Sequence, residues 1–499
     1  MDIGNWSLIR NWKLEIGNLP NYLNTKNTYM KRKIVILLLI FTFITTSGFG
    51  CKLVSKETEK AMQPITLNYW RVWDGPDAFK EILAKYKELH PFITINYRKL
   101  RYSEYEQELI NALAEDRGPD IFSINNTWLK KYQSKIQPMP ATITMAYPIT
   151  KGTIKKEVIP ELRTIKSITL KEIKNNFVDV VYNDIVMKTV DAKTNQVEEK
   201  VYGLPLYVDT LVLYYNKDLL NNAGITEPPA FWNTEFQQDV KKMTKQDTKG
   251  EIIQSGAALG GSSNIERSSD ILSVLMMQNG TVMLDDSGNV SFNKIPATFK
   301  EQKYAPGLEA LRFYTDFANP AKEVYSWNKN FDNSLNLFTQ GKLAMMFGYS
   351  YHLAQIRAQA PKLNLGIAKL PQIEGNPQNI NFANYWVETV SNKSKYTSEA
   401  WDFVQFATRA EQAKLYLNTA KRPTALRELI NKQVDDMAIG VFAEQVLTAQ
   451  SWYQGADANA MEKIIGEMID SVVAGQDKIE NIINLGARRV QQTIDINNN

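Results

Sequence analysis

Aromatic rings and planar polar groups fall close together at several points of the 499-residue chain: Trp73-Asp74, Asn125-Asn126 ahead of Trp128, Tyr207 with Asp209, Tyr349 with Tyr351, Trp386, and Trp452-Tyr453. A flat ring stacks on an apolar ring face, and carboxylates and amides take hydroxyl groups in bidentate pairs, so these types together suit a ligand with flat apolar faces and a hydroxyl rim, such as a pyranose. That chemistry is recognition without bond-making. Other readings of the same residues stay open. Asp74 and Asp209 serve equally as helix caps or hinge pins, and Asn125 and Asn126 as caps for the helix containing Trp128. Trp70, inside an apolar strand, and Trp401, on a helix face, read as core, Trp327 sits in a loop, and His352 reads as a structural hydrogen-bonder.

Reactive chemistry has little to work with. The chain contains no G-x-S-x-G, H-E-x-x-H, Walker A or G-x-G-x-x-G pattern. One cysteine excludes an intrachain disulfide and any multi-cysteine metal site, and two histidines, His90 and His352, leave little for metal or acid–base work, so no cofactor and no metal are expected. Acidic residues are plentiful, so a carboxylate pair of the glycosidase kind remains an alternative. The formal net charge is +4, but residues 1–50 hold six Lys/Arg and two Asp/Glu, which leaves 52 of each sign in the remainder. A neutral body with interspersed charge has no footprint for nucleic acid.

The elements that must position these residues begin well inside the chain. Residues 1–29 show no apolar periodicity and read as a start-site artefact or disordered leader. Met30-Lys-Arg-Lys followed by the apolar run Ile34 to Thr46 has the length of a secretory signal and is short for a membrane span, which wants roughly 20 residues. Residues 51–63 are polar and lysine-rich, a flexible tether. The body then alternates. Ile65 to Trp70 reads as a strand, a helix opens at Pro76 and stops at His90-Pro91, and Phe92 to Tyr97 is a second strand. A helix after Ser103, with Glu106 as the partner of a capping box, runs to Gly118, and Asp120 to Ile124 is a third strand. That βαβαβ order makes a parallel sheet, ligands binding beyond its strand ends, which carry Trp70, Trp73, Asp74, Asn125 and Asn126. Residues 138–200 are less regular and read as peripheral to the first lobe. Tyr202 to Ile225 crosses to a second lobe, Asn381 to Trp386 crosses back, and the last helices carry an apolar stripe from Met461 to Val473.

Four features in order, the lipoprotein-like start, Arg117–Asn126, Tyr202–Ile225 and Phe338–Ile356 with its NYWVETVSNKS and AWDFVQFAT continuations, resemble family 1 of the extracellular solute-binding proteins, the receptors of ABC-type sugar importers typified by maltose-binding protein. The resemblance implies an α/β, two-lobe, type II periplasmic-binding-protein-like fold, hinged, each lobe a mostly parallel sheet flanked by helices. Lobe 1 is then expected at 64–206 and 388–440, and lobe 2 at 207–387 and 441–495. It also implies that residues 30–50 are a lipoprotein signal, with Cys51 lipidated behind the small Gly50, while Gly48 and Phe49 depart from the usual pattern.

On that resemblance the expected protein is not an enzyme but a monomeric, extracytoplasmic receptor. It is held at the membrane through lipid on Cys51, closes on a small-molecule carbohydrate, and hands it to ABC permease subunits. The expected ligand contacts are Trp73, Asp74, Asn125, Asn126, Tyr207, Asp209, Tyr349, Tyr351, Trp386 and Trp452, with Tyr349 and Tyr351 where the family commonly places a stacking aromatic. A receptor for a polyamine, phosphodiester or peptide is the alternative within binding proteins, and a purely structural surface lipoprotein is another.

Overall fold

Strand β1 (Ile65–Arg71) turns Ile65, Leu67 and Tyr69 inward and Thr66 outward, the period-two pattern of a pleated strand. It pairs in parallel with β2 (Ile93–Lys99) and with β3 (Ile121–Asn125). The crossover helix Lys80–Leu89 buries Ile82 and Tyr86, four residues apart on one face. It stops at His90 because the following Pro91 disfavours helical backbone there, and His90 sits at φ −130°, ψ 74°. The computed structural model describes Thr58 and residues 62–151, 157–190 and 194–495. The leader, the signal segment, Cys51 and most of the tether lie outside the described residues.

The second crossover helix, Tyr102–Ala114, has no capping box: its N-cap is Arg101, with no side-chain bond. Glu106 is drawn instead to Lys131 Nζ, 2.6 Å away, and to Asn459 Nδ2 at 3.3 Å. A capping box does form at Thr169, whose Oγ1 accepts Glu172 N–H while Glu172 accepts Thr169 N–H. It starts the helix Leu170–Asn176, which is followed by Asp179–Ile185.

Residues 138–200 are dominated by two antiparallel hairpins, β4 (Thr142–Lys151) with β5 (Glu157–Lys166) and β6 (Val186–Val190) with β7 (Val197–Val201). Pro148 and Pro160 stand opposite each other in the first ladder. Two prolines inside strands obscure the sequence signal, because proline cannot donate to a ladder.

The chain continues through β8 (Leu204–Pro205), β9 (Asp209–Thr210), β10 (Val212–Asn216), β11 (Lys245–Gln246), β12 (Ile252–Ala257), β13 (Leu343–Gly348), β14 (Leu365–Lys369), β15 (Asn381–Asn384), β16 (Trp386–Val390) and β17 (Ala449–Gln450). Two five-stranded sheets result, ordered β2-β1-β3-β16-β8 and β11-β12-β13-β10-β14. β13, LAMMFG, is buried at every residue, the continuous apolar run expected of a strand covered on both faces.

The two-lobe type II fold is as expected, but the sheets are mixed rather than mostly parallel. In the first, β16 runs antiparallel to both β3 and β8, and in the second only β12 and β13 pair in parallel. The cause is connectivity. β8 and β16 enter the first sheet from crossing segments rather than from helical crossovers, so nothing constrains them to run parallel. The crossings form a third sheet, β17-β15-β9. β9 links β8 of the first sheet to β10 of the second, and β15 links β14 of the second to β16 of the first. The stripe on the helix Ala458–Val473 buries Met461, Ile464, Ile465, Met468 and Ile469, while Val473 at its end is exposed.

Candidate functional site

The ends of β1, β3 and β16, the crossing strands and the segments after β13 and β17 surround one cavity of about 270 Å³. Register sets part of its wall: β16 lies antiparallel to β3 with Trp386 opposite Asn125. Trp386 presents its ring edge-on to Trp73 at 6.2 Å and to Trp128 at 5.5 Å between centroids. Trp73 stacks on Tyr102 at 5.0 Å and on Tyr351, which follows β13 of the other sheet, at 5.9 Å. Tyr349 does not line the cavity. It is fully buried behind Tyr351, their rings 6.0 Å apart, and its hydroxyl donates to Asp270 Oδ2 at 2.6 Å. The ring at the wall is therefore Tyr351, two residues after the first tyrosine.

Among the expected contacts, Trp73, Asn125, Asn126, Tyr207, Asp209, Tyr351, Trp386 and Trp452 line the cavity, whereas Asp74 and Tyr349 lie behind it. Asp74 is buried in an ion network, accepting Tyr416 O–H at 2.6 Å and lying 3.4 Å from Arg71 and 3.7 Å from Arg422. Asn125 acts as the cap of its second reading, its Oδ1 accepting Thr127 N–H, and its Nδ2 donates to Asn384 across the strand pair. Asp209 caps the helix Ser350–Gln359, accepting Ser350 N–H at 3.1 Å and Ser350 Oγ–H at 2.6 Å. Burial pushes its carboxyl up from the ordinary value against the pull of Arg422 and these bonds. His352 is the structural hydrogen-bonder expected, its Nδ1 accepting Tyr349 N–H. Trp70 and Trp401 are core, and Trp327 is buried with its Nε1 donating to Asn264.

Several lining residues had no signal in the sequence. Arg267 precedes the helix Ser268–Gln278 in left-handed backbone, φ 56°, and its guanidinium grips Asp270 at 2.8 and 2.9 Å and Glu462 at 2.8 Å. Burial works against that charge, but the two carboxylates outweigh it and hold the group well above the ordinary arginine value. Glu266 lies 3.6 Å from His352 Nε2 and accepts Asn333 Nδ2–H at 3.0 Å; these contacts, His352 first, hold its carboxyl below the ordinary value. Arg422 follows the helix Ala410–Ala420 and lies between Asp74 and Asp209, 3.7 Å from each. Left-handed backbone and long-range ion pairs are tertiary properties, and neither has a local pattern.

The charges of the wall are thus satisfied internally: each guanidinium faces two carboxylates, and Glu266 has its own donors. Two hydrogen-bonding atoms are not. Asn126 Oδ1 and Arg422 Nε are buried without a partner, on side chains 6% and 7% exposed that line the cavity. An unpaired buried polar atom costs roughly 1–3 kcal/mol, so an acceptor and a donor are both poised for a ligand's hydroxyl groups. No cluster of three or more His, Cys, Asp or Glu among the described residues is placed to hold a metal, and no described helix is long and apolar enough to cross a membrane.

A sequence model of the family "Bacterial extracellular solute-binding protein" matches residues 73–414. A binding protein of Brucella abortus (strain 2308) is 25% identical over 435 residues, 84% of this chain and 92% of that relative. The maltodextrin-binding protein of Bacillus subtilis (strain 168) is 28% identical over 267 residues, half of this chain and 56% of that relative. In fold, a cyclo/maltodextrin-binding protein complexed with maltotetraose superposes with a TM-score of 0.65 at 17% identity, over 87% of this chain and 98% of that one.

Proposed function

The chain belongs to the bacterial extracellular solute-binding proteins, as a solute receptor of an ABC transporter, and from that premise we propose that its ligand is a neutral carbohydrate, an oligosaccharide, held between rings of the two lobes. The observation that carries this reading is the cavity wall itself. Trp73, which follows β1, and Tyr351, in the helix after β13, stack on each other in that wall, and Asn126 and Arg422 of the same lining carry the unpaired Oδ1 and Nε. Rings supply faces for C–H surfaces, and the two free polar atoms supply an acceptor and a donor for hydroxyl groups.

Charge bookkeeping favours a neutral ligand over the alternatives. A phosphodiester wants an uncommitted guanidinium, but Arg267 and Arg422 each already face two carboxylates. A polyamine wants uncommitted carboxylates, but Asp209, Asp270, Glu462 and Glu266 all have partners. The same commitment argues against a glycosidase, because Asp270 and Glu462 both clasp Arg267 and neither is left as a free proton donor. The maltodextrin-binding relative supports the carbohydrate class.

The lobes divide in this reading at 64–206 with 388–440 and at 207–387 with 441–495, the crossing strands acting as the hinge. A lipid on Cys51 holds the monomer outside the cell membrane, where the closed form docks on permease subunits. A thermal-shift screen of the purified protein against neutral oligosaccharides, polyamines and phosphodiesters tests the ligand class, since a ligand that binds only the folded state raises its melting temperature. A shift with oligosaccharides alone supports the proposal, and a shift with either charged class alone refutes it.

A further inference from the structure

Arg422 is held from every side. The preceding Lys421 ends its helix in left-handed backbone, φ 51°, which turns the chain sharply into Arg422-Pro423. Gln433 then fixes the turn, its Nε2 donating to Arg422 O at 2.9 Å and its Oε1 accepting Thr424 N–H at 2.7 Å. The next residues lie against the first crossing, with Val208 N–H donating to Pro423 O at 3.2 Å. The guanidinium sits over the Tyr207 ring, 5.3 Å from its centroid.

From that fixed base the guanidinium reaches both halves of the molecule. One Nη faces Asp74, which follows β1; the other faces Asp209 in the crossing strand and donates to Ser350 Oγ at 3.1 Å, at the start of the helix that follows β13. Behind Asp74 the alternation of charge continues into the first sheet through Arg71, 3.2 Å from Glu388. Five charges of alternating sign, Glu388, Arg71, Asp74, Arg422 and Asp209, therefore run from the first sheet to the helix of the second. Arg422 and Asp209 are the members of that series that also line the cavity, and of these two Arg422 keeps a buried nitrogen, Nε, without a hydrogen-bond partner.

We infer that Arg422 couples ligand capture to closure: its two Nη groups tie Asp74 to Asp209 and Ser350 across the hinge, and its Nε donates to a ligand oxygen in the same cleft. The inference rests on the carbohydrate reading for the ligand and on geometry alone for the tie. When the lobes part, the Ser350 and Asp209 contacts part from the Asp74 contact, because the guanidinium is too short to follow both. When they close, the same planar group is oriented so that Nε meets the ligand. A rigid fork with donors on three nitrogens does this, and a lysine ammonium does not. Arg422 is a positioning residue for closure and a contact residue for the ligand.

Two variants separate the roles. Arg422→Lys keeps the charge but loses the fork and Nε, and Ser350→Ala weakens the tie on the second half, removing the hydroxyl contact and leaving the one to Asp209, with Nε in place. Small-angle scattering of each ligand-free protein reads the open–closed balance, and calorimetric titration with maltotetraose reads binding. Expected are a larger radius of gyration for both variants, about a 10-fold or greater loss of affinity for Arg422→Lys, and a smaller loss for Ser350→Ala. Unchanged scattering in both variants overturns the tie whatever the ligand proves to be. Affinity within about twofold of the parent for Arg422→Lys overturns the contact. If maltotetraose and the other neutral oligosaccharides fail to bind the parent protein, the carbohydrate reading fails while the scattering arm still decides the tie.

Discussion

Trp73 and Tyr351 face each other ring to ring, their planes 7° from parallel and their centroids 5.9 Å apart, although one follows the first strand of one sheet and the other follows a strand of the second sheet. A sugar ring lodged between two aromatic plates needs about 3.5–4.0 Å to the carbons on either side, so the plates must stand about 7–8 Å apart. Entry of a pyranose there exchanges the Trp73–Tyr351 contact for two ring–sugar contacts. The tryptophan emission of the parent protein is expected to change on saturation with a bound oligosaccharide, and Trp73→Phe is expected to lose most of that change. An undiminished change in Trp73→Phe would place the ligand elsewhere.

The carboxyl of Asp184 stands where three donors converge: Asn126 Nδ2 at 3.0 Å, Tyr385 O–H at 2.7 Å and Ser451 Oγ–H. Loss of water pushes its pKa up to about 6 despite those bonds. A carboxyl raised in the folded state contributes stability that is full below its unfolded value, near 3.9, and is lost as pH rises through about 6. The melting temperature of Asp184→Asn minus that of the parent is therefore expected to become more positive between pH 4.5 and pH 7.5. A difference that stays flat over that range would show that Asp184 titrates at its ordinary value.

Glu388 is buried in the centre of the first sheet, accepting Tyr69 O–H and Ser123 Oγ–H, each at 2.6 Å, beside Arg71. Removing one partner of a buried pair leaves the other charge uncompensated, at about 3–5 kcal/mol. Glu388→Gln is expected to lower unfolding stability by that amount in urea titration, and the double variant Arg71→Met, Glu388→Leu is expected to recover most of it. A loss below about 1 kcal/mol in the single variant would show that Arg71 is adequately held by Asp74 alone.

Much of the architecture was legible in the chain because apolar spacing records it. The β1–helix–β2–helix–β3 order, the two crossing segments and the last helices follow from period-two and 3.6-residue patterns around Ile65–Arg71, Lys80–Leu89 and Met461–Ile469. Those patterns say nothing of strand direction, so the antiparallel entry of β16 beside β3 was invisible, and the paired Pro148 and Pro160 hid a hairpin of two ten-residue strands. At the cavity the aromatic and amide pairs marked the right strand ends. Asp74 and Tyr349 were set one layer too shallow, because local sequence cannot tell a side chain at a wall from one directly behind it. Arg267 and Arg422 were missed because their partners lie 195 and more than 200 residues away in sequence, at Glu462 and Asp209.

The anchor is tested separately from the cleft. If Cys51 carries a lipid, Cys51→Ala expressed in a bacterial host is expected to move the protein from the membrane pellet to the soluble extracytoplasmic fraction on fractionation, with ligand binding unchanged. Equal partition of the two forms would remove the lipid from the account.

The central claim is that rings from both lobes hold one neutral sugar, and titration calorimetry with the oligosaccharide that most stabilises the parent protein tests it most directly. Trp73→Ala and Tyr351→Ala, one ring from each side, are each expected to weaken binding about 10-fold or more, or about 1.4 kcal/mol and above, with the melting temperature of the ligand-free protein little changed. Affinity within about twofold of the parent in either variant would contradict a site shared between the lobes.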